Sequence, residues 1–242
     1  MGIFEKIGYK DTLKPFDKRI PKTQLFLHGE FSKAERDLLT ERVEEVRLCY
    51  VLNGNTYPME TVVNSEMYYD SISWVLVTLK RDVSIPKLSR IIQETLPSPT
   101  VILYQIGDSY LFSSALKRLN KNEKGKVVVE EYHNSGWINL DAHKDSEDNF
   151  LQSINLSHTP TIDYKQAYEH IHRRIYEVVY SEMVASIEAD NFEELKAKIE
   201  VELARQSEIE RLTKLINQKS RPLKEKMELA KKIKKITDGR DK

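Results

Sequence analysis

The pattern of hydrophobic positions centres on one uninterrupted apolar run within residues 69–80, YDSISWVLVTLK. Trp, Val, Leu and Val occupy positions 74–77, with Ile72 just before them and Leu79 just after. A half-buried strand alternates apolar and polar residues, whereas this stretch is apolar on both sides. It therefore predicts a central strand of a sheet that is covered on both faces, or on one face and by a neighbouring domain.

Further strands are predicted on either side of this run. Apolar residues recur at every second position of residues 46–52, which indicates a strand. Two compact apolar runs at 101–106 and 110–116 are separated by Gly107 and Asp108, so they are predicted to pair antiparallel. Residues 127–132 extend the same sheet. Strands and helices do not alternate strictly, which favours an α+β protein over a doubly wound fold.

Two helices are predicted to pack on this sheet. Ser32 and Glu35 have the spacing of a capping box, and residues 84–96 form an apolar stripe at helical spacing. Residues 1–22 are predicted to be an irregular, extended arm, because proline disfavours helix in the residue before it. The predicted fold class is α+β, a mostly antiparallel sheet with one or two packed helices, followed by a C-terminal helical, coiled-coil-like region.

The pattern changes near residue 141, where DAHKDSEDN is polar, and we predict domains at 1–150 and 151–242. Asp163 is predicted to cap a long helix, and a further helix is interrupted by Pro222. The apolar positions of the last helices thin out to a narrow seam typical of a coiled coil. Such a seam has to be covered by a fold-back hairpin, by a second copy or by a partner. Its predicted partner-binding residues are Ile209, Leu212, Ile216 and Leu223.

Composition limits the binding partners and the cellular compartment that can be expected, but it does not assign an activity. The 38 basic residues balance 38 acidic ones, so any binding of nucleic acid must come from a local patch. Cys49 is the single cysteine, which excludes an internal disulfide and favours a reducing, cytoplasmic setting. We find no apolar window long enough to span a membrane and no secretory signal, so we expect no membrane association.

No catalytic constellation is recognisable. The chain lacks GxxxxGK[ST], GxGxxG, HExxH and GxSxG, so we predict no catalytic residue and no cofactor. His170 and His172 are two residues apart on a predicted helix and point to different faces, so we predict no metal site from them. Asp70 and Lys80 resemble part of a nuclease motif, but the triplet Thr78-Leu79-Lys80 has threonine where the motif has its second acid. Lys80 is then a solvated charge at the end of a strand.

Several short segments together resemble a known family. IPK at 20–22, ISWVLVTLK, PSPTVILYQI, SALKR at 114–118 and the C-terminal NQKSRPLKEKMELAKKIKK occur in the order found in the bacterial and archaeal domain-of-unknown-function family 4391. The resemblance supplies no catalytic residues. It implies a context beside large helicases and DNA methyltransferases in restriction-like or phage-defence clusters. It also implies recurring basic positions that could bind nucleic acid or an acidic partner, namely Lys22, Lys80, Lys117 and Arg118.

Two functions from different classes are therefore expected. The first is a non-enzymatic accessory subunit that docks onto a helicase or methyltransferase through its C-terminal helices. The second is a DNA-binding or nuclease subunit whose basic residues converge at one edge of the sheet. The first depends on a C-terminal seam that the chain itself leaves uncovered, and the second depends on the four cations lying together.

Overall fold

A seven-stranded sheet organises the fold in a computed structural model that describes residues 2–29, 31–123, 126–218 and 221–238. The strands are β1 (Lys18–Arg19), β2 (Val43–Leu52), β3 (Val62–Val63), β4 (Tyr68–Tyr69), β5 (Ile72–Leu79), β6 (Thr100–Ile106), β7 (Ser109–Leu119), β8 (Val127–Asn134) and β9 (Ile138–Asn139). The helices are α1 (Ile3–Lys6), α2 (Tyr9–Thr12), α3 (Lys22–His28), α4 (Lys33–Arg42), α5 (Ile85–Thr95), α6 (Asp145–Ser153), α7 (Tyr164–Val179), α8 (Ser181–Ser186), α9 (Phe192–Ile216) and α10 (Leu223–Asp238).

The sheet is mostly antiparallel. Its strands lie in the order β1-β2-β5-β6-β7-β8, β9 pairs with β7, and β3 and β4 form a separate ribbon. Within the described residues, β5 and β6 form the one parallel pair of the large sheet, with Trp74 opposite Val101. The parallel pair follows from α5, which carries the chain back across the sheet between the two strands. The large, mostly antiparallel sheet of the sequence prediction is confirmed.

β5 is covered on both faces, as its apolar run predicts. Alternate residues point to two separate cores: Trp74 lies in one and Val75 and Val77 in the other. Helices α1, α2, α6 and α7 supply residues to the first core, and α3, α4 and α5 to the second. More helices therefore pack on the sheet than the one or two predicted. Several have seven residues or fewer, too short for a helical period to show in the sequence.

The N-terminal segment differs from its prediction. Residues predicted as an extended arm form α1 and α2, and Ile3, Ile7 and Tyr9 are buried in the first core. Gly8 separates the two helices with a left-handed φ of 76°. The proline rule holds where it applies, because Lys14 and Ile20, which precede Pro15 and Pro21, both lie outside the helices.

The chain divides into two compact units, Met1–Val179 and Tyr180–Lys242, whereas the sequence prediction places a domain boundary at residue 150. The first unit contains α7, whose residues Tyr164, Tyr168, Ile171 and Ile175 lie in the first core.

The second unit contains α8, α9 and α10, so a C-terminal helical region is present as predicted, although the predicted region begins at residue 151. Asn191 caps α9 by accepting from the Glu194 amide, and Pro222 separates α9 from α10. None of the described helices has the length and apolar character required to cross a bilayer.

Candidate functional site

Lys22 and Lys80 lie together at the junction of α4 and β2. The Lys22 ammonium donates to the Val43 carbonyl, and the Lys80 ammonium donates to the Thr40 carbonyl at 3.0 Å. Partial burial lowers the pKa of Lys22, and the neighbouring Lys80 lowers it further. Both lysines thus place positive charge at the C-terminal end of α4, where helix carbonyls lack partners and attract cations.

Lys117 and Arg118 lie on β7. The Lys117 ammonium donates to the carbonyls of Leu96 at 2.6 Å and Ser98 at 3.3 Å, just beyond the end of α5. Burial lowers the pKa of Lys117 to about 7. Arg118 forms a 3.0 Å ion pair with Glu130 on β8. Lys117 therefore donates to carbonyls at the C-terminal end of α5, as Lys80 does at the C-terminal end of α4.

The four predicted basic residues form two groups rather than one. Lys80 follows the end of β5, and β6 runs parallel to β5, so both strands end at the same side of the sheet. β7 returns antiparallel to β6, which carries Lys117 and Arg118 to the opposite side. β5 itself separates Asp70 from Lys80, since its eight residues lie between them and span roughly 25 Å. Asp70 and Lys80 therefore do not share one metal ion.

The predicted seam residues differ widely in exposure. Leu212 is 2 % exposed, Ile209 and Ile216 are partly buried, and Leu223 is 75 % exposed. α9 and α10 pack against each other, and an Arg205 guanidinium N–H of α9 donates to the Ile236 carbonyl of α10 at 3.3 Å. The hairpin named among the alternatives thus covers part of the seam, and Leu223 remains outside it.

A polar cluster lies in the first unit, between β8 and α7. It is not predicted by the sequence analysis. Glu131 and His133 are two residues apart on β8, so their side chains point to the same face of the strand. α7 packs on β7 and β8 and presents His172 to them. His172 Nε2 lies 3.8 Å from one Glu131 carboxylate oxygen, and His133 Nε2 lies 3.2 Å from the other.

Packing holds the two imidazoles of this cluster in place. The rings of His133 and His172 stack with their centroids 4.1 Å apart, and Tyr176 packs against His133 at 4.8 Å. The other ring nitrogen of His172, Nδ1, is hydrogen-bonded to the Ser114 hydroxyl at 2.8 Å. His172 and His133 are buried, whereas the Glu131 side chain keeps 27 % of its exposure.

His170 lies apart from this cluster. Its Nε2 contacts the Ser153 carbonyl at 2.9 Å, and burial lowers the pKa of its imidazole. His170 and His172 therefore have separate surroundings, as their helical spacing predicts. The spacing carries no information about β8, which supplies the other partners of His172.

A cleft of about 540 Å³ opens beside α3 and α5. Its acidic side chains, Glu35 and Glu94, both pair with the Arg90 guanidinium, at 3.0 and 3.3 Å. The Ser32 backbone N–H, which donates to the Glu35 carboxylate, lowers the pKa of that carboxyl. Both acidic side chains of the cleft are therefore paired with a cation of the chain.

The described residues define a mixed α+β protein with a large, mostly antiparallel sheet and a C-terminal helical region. The chain belongs to the family described as Domain of unknown function (DUF4391), which matches residues 14–238. No match is found among curated proteins or among solved structures.

Proposed function

We propose that this protein is a non-enzymatic accessory subunit of a bacterial DNA-processing or phage-defence complex. In this proposal it acts in the cytoplasm and docks onto a helicase or DNA methyltransferase through α9 and α10, which pack as a short coiled coil. A helicase or DNA methyltransferase is proposed as the partner because the family resemblance implies that context. α10 is proposed as the docking surface because it exposes apolar side chains.

The observation that carries the proposal is the exposure of Leu223 and Met227. Their side chains are 75 % and 56 % exposed, and they lie four residues apart, which places them on the same face of α10. The partly buried apolar residues of α10, Leu229, Ile233 and Ile236, lie on another face. A neighbouring pair of exposed apolar side chains on one helix is a natural anchor for a protein partner.

The charge around this pair specifies the partner surface. α10 contains six lysines against three acidic residues, and four of the exposed lysines lie on one side of the helical wheel, within about 120° of Leu223: Lys224, Lys231, Lys234 and Lys235. A matching surface has an apolar depression for the two anchors and an acidic rim.

The test measures binding of the full chain to the purified helicase or methyltransferase encoded beside it. We expect the double variant Leu223→Ala, Met227→Ala to bind at least tenfold more weakly, with unchanged helix content. Leu27→Ala is the matched control, because Leu27 is 81 % exposed but lies in the first unit. Equal binding by the double variant would overturn the proposed docking surface. Light scattering distinguishes a second copy as the occupant, since self-association would then fall with the same variant.

The lysine content of α10 also favours a second candidate function, the binding of nucleic acid. This differs from the expected sheet-edge site, whose cations lie in two groups. Binding through α10 predicts an affinity for duplex DNA that falls steeply with salt, and the triple variant Lys231→Gln, Lys234→Gln, Lys235→Gln flattens that salt dependence by about 0.9 per lost phosphate contact. Lys117→Gln, Arg118→Gln is the corresponding variant for the sheet. Absence of DNA binding at low salt excludes this candidate.

A further inference from the structure

The cluster of Glu131, His133 and His172 combines the donor types that bind transition metals. Two imidazole nitrogens and one carboxylate oxygen lie within 4.8 Å of one another. The donors come from two elements, a strand and a packed helix, so their separation is fixed by the fold rather than by one flexible loop.

The distances in the cluster are close to those around a bound ion. Zinc binds imidazole nitrogen and carboxylate oxygen at about 2.0–2.2 Å, so two ligands of a tetrahedral zinc lie about 3.4 Å apart. The two nitrogen-to-carboxylate distances are 3.2 and 3.8 Å, each to a different oxygen of Glu131, and one donor atom from each of the three residues lies within 4.8 Å of the other two. Small side-chain rotations therefore suffice to bring all three donors onto one ion.

Ser114 orients His172 for this role. Its hydroxyl is hydrogen-bonded to Nδ1 of His172 at 2.8 Å, which leaves Nε2 as the nitrogen that faces Glu131. Metal-binding histidines are commonly held in this way, with one ring nitrogen bonded to a protein group and the other to the metal. Ser114 is fully buried on β7, so this contact is shielded from solvent.

A second histidine and acid cluster in the chain provides a contrast. His143 and Asp148 also lie close together, at 3.1 Å, but the Lys6 ammonium lies 2.9 Å from the same His143 nitrogen and 3.3 Å from the same carboxylate. There a lysine of the chain supplies the positive charge. Around Glu131 the neighbouring donors are the imidazoles of His133 and His172.

We propose that Glu131, His133 and His172 bind one divalent transition-metal ion, with zinc as the ion that matches this donor set. Three protein ligands leave a fourth position of a tetrahedral site for solvent, and the partly exposed Glu131 places that position toward the surface. The site ties β8 to α7 within the first unit. It does not depend on the proposed docking function.

The test uses the full chain, freed of any histidine tag and dialysed against a chelator, with Zn²⁺ alone as the ligand. Titration calorimetry is expected to show one Zn²⁺ per chain, and zinc is expected to raise the unfolding temperature. Glu131→Gln and His133→Gln should each weaken binding at least tenfold. His170→Gln is the matched control, since it alters a histidine two residues from His172 outside the cluster, and it should bind zinc like the wild type.

Two results would overturn the proposal. One is the absence of stoichiometric binding by the folded wild-type chain, which would leave the cluster as two stacked histidines beside a carboxylate. The other is one-to-one binding that both cluster variants retain. Circular dichroism confirms that each variant is folded. Glu131→Gln keeps the inference testable if the histidine variant fails to fold, because Glu131 is partly exposed and glutamine preserves its shape.

Discussion

The hydroxyl of Tyr168 bridges Ala115 and Thr100 where the pairing of β6 and β7 ends. Ile102 lies opposite Ser113, so one further step of the ladder would place Thr100 opposite Ala115. Instead, the Ala115 amide donates to the Tyr168 oxygen at 3.0 Å, and that oxygen lies 3.0 Å from the Thr100 carbonyl. A side chain of α7 thus completes the sheet and joins helix to strand.

Tyr168→Phe is expected to lower the free energy of unfolding by about 1–3 kcal/mol, because it leaves the buried Ala115 amide without an acceptor. Urea unfolding measures the loss, and the exchange rate of the Ala115 amide should rise. Tyr132→Phe is the control, since its hydroxyl makes an exposed 3.3 Å bond to Glu94. Equal effects of the two variants would contradict a special role for the Tyr168 bridge.

Gly8→Ala is expected to destabilise the packing of the N-terminal helices. Gly8 has a φ of 76°, and a Cβ there would lie 2.6 Å from the Asn155 side-chain oxygen. The left-handed conformation alone costs an alanine about 1–2 kcal/mol, and the clash adds to it. Thermal unfolding checks the expected loss. Gly54→Ala is the control, because a Cβ at Gly54 meets no atom within 4 Å, and it should change stability by less than half as much.

The sequence predicts best those elements whose own residues determine them. The apolar run of β5 predicts a strand covered on both faces, and the capping box of Ser32 and Glu35 is present at the start of α4. α1 and α2 have four residues each, so neither can show a period. Their burial depends on contacts distant in sequence, such as the Leu156 amide donating to the Ile7 carbonyl.

The candidate site was harder to predict because its parts are brought together only by the topology. His172 is distant in sequence from Glu131 and His133, and the only local signal is the acid and histidine two residues apart on a strand. Similarly, Lys80 and Lys117 both follow apolar strands in sequence, and only the strand directions show that they lie at opposite sides of the sheet.

The burial of Lys117 makes stability depend on pH. Its pKa falls from 10.5 to about 7 in the folded protein. Below about pH 7 the lysine is protonated in both states, so folding bears the full cost of burying the charge. Between about pH 7 and 10.5 the unfolded chain holds a proton that the folded chain has released. The free energy of unfolding therefore rises with pH across this window.

Comparison with Lys117→Met isolates this contribution. Urea unfolding at intervals from pH 6 to 9 should show the wild type gaining stability relative to the variant. The slope should stay below the one-proton limit of about 1.4 kcal/mol per pH unit, because the side chain is only partly buried. Lys121→Met, which removes an exposed lysine paired with Glu66, should run parallel to the wild type. A wild type parallel to Lys117→Met would refute the depressed pKa.

Leu212 and Leu223 allow the stability of the α9–α10 hairpin to be separated from its proposed docking. Leu212 is 2 % exposed and lies two helical turns after Arg205, whose guanidinium contacts Ile236, so Leu212 shares the face of α9 that packs on α10. Leu212→Ala is expected to cost about 2–5 kcal/mol of local stability, enough to release α10 from a pair of helices. Hydrogen exchange over residues 223–238 should then become rapid, whereas Leu223→Ala should leave it unchanged and weaken only partner binding. Unchanged exchange in Leu212→Ala would mean that Leu212 does not hold α10 in place.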